Sequence, residues 1–226
     1  MDDLTVSLAK TIFEENIDII QEYAEITIDS VLNESLLREI PLVGTAVGIG
    51  KVVISIRDRN FLKNTIIFMK KLSENSIDRD VLQKHVKLFE KNENRRKREL
   101  ECIALYLDNY VDCTKSKLLA NIYTSLIKEE IDWEDFKVCT EILDSIKVTD
   151  LATLRDIYEK KKYLEGDNYY PLSLKRLDGI GVVQYFNEIR VTQGKDRKSI
   201  KASISPAGEA FVDIAMSNID ITEDEL

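Results

Sequence analysis

The chain has 226 residues, 44% of them apolar and 32% charged, so it is long enough to bury a core in one or two domains. The high share of charged residues disfavours a membrane-spanning protein, and the presence of only three prolines, eight glycines and three cysteines disfavours a collagen-like or disulfide-rich protein. The 41 acidic residues outnumber the 32 basic ones, and the formal net charge is −9.

Residues 1–39 are strongly acidic, with ten acidic residues and two basic ones. From residue 4 to residue 37, apolar residues recur at helical spacing without Gly or Pro, which predicts one or two amphipathic helices. The start, MDDLTVSLAK, carries acids where a secretory signal carries bases. Cys102, Cys113 and Cys139 are odd in number and form no Cys-x-x-Cys pair, so we expect a reduced, cytoplasmic protein.

Residues 40–56 form an apolar segment in which Lys51 is the only charged residue. Glycine lowers helix stability, so three glycines in this segment need a reason. Small residues four apart let helices approach closely, in a membrane or in an oligomer. We assign assembly or membrane contact to Gly44, Val47, Gly48, Gly50 and Val52. A buried central helix of a helical bundle is the alternative.

The same segment does not fit a nucleotide-binding loop. Gly44 lies one residue too early for a phosphate loop, Val52 stands where Ser or Thr would hold magnesium, and Val53 stands where a dinucleotide site needs Gly. His85, the only histidine, shares a helix face with apolar residues and is read as structural. We therefore expect no cofactor, no metal and no enzymatic activity.

Conventional helices follow in the middle of the chain. Apolar periodicity predicts helices over residues 60–72, 80–90, 98–111 and 114–128, and Asp132 is placed to cap the next one. The links are short, which favours antiparallel packing. These helices predict a bundle over residues 60–131, after an N-terminal region of residues 1–59.

The pattern changes after residue 148. We predict helices over residues 150–162 and 170–178, and β-branched strands over 182–186 and 199–204 around a polar tip at 188–198. Ser205 and Pro206 then start a last helix. The fold class is thus mainly α, with a two-stranded ribbon near the C-terminus.

The phrases SLKRLDGIGVV and ISPAGEAFVDIA resemble the recognition helix, first wing strand and closing helix of winged-helix domains. The resemblance implies such a domain over residues 132–216, followed by an acidic tail at 217–226. It places Leu172, Leu174 and Leu177 on the inner side of the recognition helix. The residues that would contact a partner or DNA lie on its polar side and on or beside the wing; they are Ser173, Lys175, Arg176, Arg190, Lys195, Arg197 and Lys198. Protein and DNA remain alternatives.

The segment IPLVGTAVGIGKVVISIRDRNFLKN is similar to segments of poorly characterised bacterial prophage and mobile-element proteins. That resemblance implies a setting of phage defence or superinfection immunity. We expect a non-enzymatic protein that recognises a protein partner, phage-encoded in this setting, and that forms homo-oligomers or associates with membrane when active. A DNA-binding transcriptional regulator is the alternative.

Overall fold

The computed structural model describes residues 2–13, 55–160, 171–192 and 195–219. These residues form nine α-helices and one two-stranded antiparallel sheet. The predicted mainly α class with a small sheet near the C-terminus is therefore confirmed. The chain divides into two compact units, residues 1–132 and 133–226, here called the N-terminal and the C-terminal unit.

The N-terminal unit contains five of the described helices. They are α1 (Asp2–Phe13), α2 (Ile56–Glu74), α3 (Arg79–Lys91), α4 (Glu93–Asn109) and α5 (Thr114–Ile127). The long α2 packs against α5 and α4, while α1 and α3 pack against α4. The core lies between these helices and includes fully buried Leu62, Phe68, Leu107, Leu118 and Ile122.

The helix α2 begins four residues earlier than predicted because Ser55 and Asp58 form a capping box. The Ser55 hydroxyl accepts from the Asp58 backbone N–H at 3.1 Å, and the Asp58 carboxylate accepts from the Ser55 N–H at 3.3 Å. This reciprocal pair satisfies two backbone donors that the first turn of a helix leaves open. The capping box therefore starts the helix before the first residue of the apolar periodicity.

Asparagines of α2 bind the carboxyl end of α4. Fully buried Asn64 donates to the carbonyl oxygens of Leu107 at 2.8 Å and Tyr110 at 2.6 Å, and Asn60 donates to Tyr110 at 2.6 Å. The last carbonyls of a helix have no partner within the helix, so a neighbouring side chain that reaches them stabilises both elements. These bonds fix where α2 crosses α4.

The C-terminal unit contains four helices and the two strands. They are α6 (Trp133–Ser145), α7 (Val148–Lys160), α8 (Pro171–Gly179), β1 (Val183–Thr192), β2 (Lys195–Ile204) and α9 (Pro206–Ala215). The central α7 contacts α8, α9 and β2, while α8 contacts β1 and α9 contacts α6. We call the paired strands β1 and β2 the ribbon.

The ribbon is longer than predicted. Its strands pair in an unbroken register from Val183 opposite Ile204 to Thr192 opposite Lys195. The polar stretch predicted as the tip therefore belongs largely to the strands. Backbone pairing needs no apolar side chains once the apolar base of the ribbon has set the register.

The helices in the described ranges include none that combines the length and the apolar character needed to cross a membrane. The apolar segment with Gly44, Val47, Gly48, Gly50 and Val52 lies outside the described residues. Its assignment to assembly or membrane contact stays a prediction.

Candidate functional site

The short helix α8 ends in a glycine turn that leads directly into the ribbon. The Val182 N–H donates to the Leu177 carbonyl at 3.1 Å, and the Gly181 N–H donates to the Asp178 carbonyl at 2.9 Å. Gly181 has φ +80°, the left-handed conformation that this type of helix end requires and that glycine adopts without strain. Leu177 and Val182 are both fully buried, so the turn is fixed from inside the unit.

One of the three leucines that were predicted to lie on the inner side of α8 lies at the surface instead. Leu174 and Leu177 are fully buried as expected, but Leu172 is 62% exposed and Ser173 is buried. Ser173 lies one turn before Leu177 and so shares its face, whereas Leu172 lies on the same face as exposed Lys175. The surface of α8 therefore carries an apolar side chain, Leu172, for which the sequence predicts a place in the core.

Arg176 is held by a buried carboxylate on α7. Its Nε donates to Asp150 Oδ2 at 2.6 Å, and its Nη2 donates to Asp150 Oδ1. Asp150 is 1% exposed, and the hydrogen bond to it raises the pKa of Arg176 above its usual range. A bidentate pair of this kind fixes the guanidinium plane. Arg176 thus positions α8 on α7, and Lys175 is the basic residue of α8 that faces solvent.

The base of the ribbon is closed by Ser205. Its hydroxyl donates to the Gly181 carbonyl at 2.6 Å and accepts from the Gly208 N–H at 3.0 Å, and its N–H donates to the Val182 carbonyl at 3.0 Å. This confirms the predicted cap of the last helix, with Pro206 at its first position. One residue therefore joins the start of β1, the end of β2 and the start of α9.

The four other predicted contact residues lie in the ribbon. The register places Arg190 directly opposite Arg197, Lys195 opposite Thr192, and Lys198 opposite Ile189. The ribbon thus brings Arg190, Lys195 and Arg197 to one face, and Lys198 to the other, because residues directly opposite share a face and neighbours in a strand alternate. The role of all seven residues in binding stays a prediction.

The N-terminal unit contains a buried cluster of His85, Glu99 and Tyr123 that was not predicted from the sequence. His85 Nε2 lies 2.7 Å from Glu99 Oε1, and the Tyr123 hydroxyl donates to the same oxygen at 2.9 Å. Glu99 and Tyr123 are fully buried and His85 is 2% exposed. We call this group the His–Glu–Tyr cluster. It joins α3, α4 and α5 through one carboxylate.

Aromatic rings and one arginine surround the His–Glu–Tyr cluster. The Phe13 ring of α1 lies 6.1 Å and the Phe89 ring 4.8 Å from the His85 ring. Arg95 Nε lies 3.8 Å from Glu99 Oε2. Burial, followed by the charge of Glu99, raises the pKa of Tyr123 well above its usual range, so the phenol keeps its proton and its role as donor.

A sequence signal for Glu99 exists. It lies four residues before Ile103 and eight before Leu107, so helical spacing places it on the buried stripe of α4. A carboxylate on such a stripe requires partners in the core, and a lone buried histidine and a tyrosine on neighbouring stripes can supply them.

The thiols of Cys102 and Cys139 should resist alkylation in the folded protein. Burial, with a smaller contribution from Glu99 and Asp135 respectively, raises the pKa of each to about 11. At pH 8 roughly one in a thousand of each thiol is then ionised, and the thiolate is the reactive form. Intact-mass measurement during iodoacetamide treatment should show both reacting slowly when folded and quickly in urea. Equal rates in the two conditions would contradict the burial of these thiols.

No group of three or more His, Cys, Asp or Glu in the described ranges is placed to hold a metal ion.

A cavity of about 540 Å³ lies beside α7 and the turn after α9. At its rim, Arg155 donates to the carbonyl oxygens of Met216 at 3.2 Å and Ile219 at 2.7 Å, and the Tyr158 hydroxyl donates to Asp213. These polar groups hold the end of the described chain to α7.

Comparison of the chain with protein-family models, with curated proteins and with solved structures finds no match.

Proposed function

We propose that the protein is a non-enzymatic recognition protein whose C-terminal unit is a winged helix that docks a protein partner. The observation that carries the proposal is the composition of the α8 surface. Arg176 is engaged with buried Asp150, whereas Leu172 is 62% exposed. On the ribbon, Phe186 is 51% exposed.

These features favour protein over duplex DNA. A helix that reads DNA presents basic and polar side chains to phosphates and base edges. The exposed charges of α8 are one lysine, Lys175, and one aspartate, Asp178, which cancel. Apolar and aromatic anchors such as Leu172 and Phe186 are instead typical of the centre of protein interfaces.

The resemblance to prophage and mobile-element proteins supports phage defence or superinfection immunity as the setting, with a phage-encoded partner. In this proposal the N-terminal helices of residues 1–59 respond by self-assembly or membrane contact. This part is supported by the sequence resemblance and by the small residues spaced four apart in the apolar segment.

The test combines partner recovery with direct DNA binding. We expect the full-length chain to recover a partner from phage-infected bacteria, and we expect the double variant L172S/F186S to lose it. The matched control is Val111→Ser, which replaces a 92% exposed apolar residue of the N-terminal unit. It should recover the partner as the unchanged protein does.

In fluorescence anisotropy at about 50 mM salt, we expect no tight binding of a short duplex. Duplex binding with a steep salt dependence that becomes shallower in Lys175→Ala would contradict the proposal and support the DNA-binding regulator.

A further inference from the structure

The ribbon has two faces of different chemistry. Because its register is unbroken, alternate positions along each strand share a face. One face holds the apolar positions Val183, Tyr185, Ile189, Val191, Ile200, Ala202 and Ile204. Val183 and Ala202 on this face are buried, so it is the face that joins the core of the C-terminal unit.

The other face, here called the basic face, begins with exposed Gln184 and Phe186. Its remaining positions carry four basic residues and one acidic residue, Glu188, a net charge of +3. The four basic residues are Arg190, Lys195, Arg197 and Lys201. On the opposite face, Asp196 and Lys198 cancel. The excess charge of the ribbon thus lies entirely on the face that carries Phe186.

Arg190 and Arg197 occupy directly opposite positions of this face. Like charges directly opposite each other across antiparallel strands destabilise the pair. The arrangement is unfavourable for folding by itself, and an anionic group bound between the two positions would relieve it. A guanidinium group matches a carboxylate well, since it can donate two parallel hydrogen bonds.

We infer that the basic face binds an acidic peptide segment of the partner protein, with an apolar residue of that segment against Phe186. The inference rests on the proposed function and adds the chemistry of the partner. A large apolar side chain within the basic face fits an acidic protein segment better than a row of phosphates. The opposite register positions of Arg190 and Arg197 define the place along the ribbon at which such a segment would bind.

The experiment uses the full chain and a synthetic peptide of ten residues, the length of one strand, rich in Glu with one central Phe. Fluorescence titration should show salt-sensitive binding, weakened about tenfold or more in the double variant R190Q/R197Q through the loss of charge-assisted bonds. The same double variant should melt at an unchanged or higher temperature, because it removes repulsion between the strands. A peptide with Gln for every Glu should not bind.

The matched control is Lys198→Gln, which removes a basic residue from the other face of the same ribbon. It should bind the acidic peptide as the unchanged protein does. Absence of binding, an equal loss in Lys198→Gln, or tighter binding of a short duplex than of the peptide would each overturn the inference. If the peptide fails while L172S/F186S still abolishes partner recovery, the proposed function stands and only the acidic partner is wrong.

Discussion

Gly208→Ala is expected to destabilise the C-terminal unit strongly. A Cβ added at this position of α9 would lie 2.9 Å from the Val182 carbonyl carbon and 3.0 Å from Ile204 Cγ1, and inside contact distance of the Val182 oxygen. That carbonyl cannot move away easily, because it accepts from the Ser205 N–H at 3.0 Å. Overpacking costs about 1–3 kcal/mol and occasionally more, and the clash with fixed backbone places this substitution at the upper end, a large part of the stability of a small unit.

Urea unfolding followed by circular dichroism would measure this loss. Gly179→Ala is the matched control, because Gly179 has open space around its Cβ position and a φ outside the left-handed region. It should leave the unfolding curve unchanged. A Gly208→Ala protein as stable as this control would contradict the close approach of α9 to the base of the ribbon.

Glu99→Ala is expected to destabilise the N-terminal unit by about 3–5 kcal/mol. The substitution removes the shared carboxylate of the His–Glu–Tyr cluster and leaves the buried His85 imidazole and Tyr123 hydroxyl without this partner. The side chains of His85 and Tyr123 come from α3 and α5, so three helices lose a common contact. Glu99→Gln keeps the volume of the side chain and one acceptor oxygen, so this variant should lose less stability than Glu99→Ala.

The control for this prediction is Glu129→Ala. Glu129 is exposed and pairs with exposed Lys84 at 2.6 Å, an arrangement that contributes little because water screens it. Thermal unfolding should separate the two variants clearly. If Glu99→Ala has the same melting temperature as Glu129→Ala, the buried carboxylate does not hold the helices together.

Features set by local chemistry were predicted correctly from sequence. Apolar periodicity located the main helices, and the Ser205–Pro206 pair located the start of α9. These signals act over one or two turns, so neighbouring residues contain all the information. The extent of the ribbon was missed because its register is set at its apolar base and extends through polar residues.

The candidate site was predictable only in part, because its key contacts join distant residues. Arg176 has a basic side chain in a sequence position typical of DNA contact, yet Asp150, 26 residues earlier, holds it. Leu172 was placed inside by hydrophobicity, although helical spacing from Leu177 favours Ser173 there. In both cases residue type alone predicts the wrong environment of the side chain, because contacts with distant parts of the chain determine it.

The closure of the ribbon by Ser205 has a consequence for insertions. Because one residue fixes both strands at the base of the ribbon, insertions beyond that base leave the helices of the C-terminal unit in place. Two residues added to each strand would lengthen the ribbon and keep its apolar and basic faces, whereas one residue added to each strand would exchange the two faces beyond the insertion. The ribbon could therefore be lengthened in steps of two residues per strand, and so reach further toward a partner, without a change in either face.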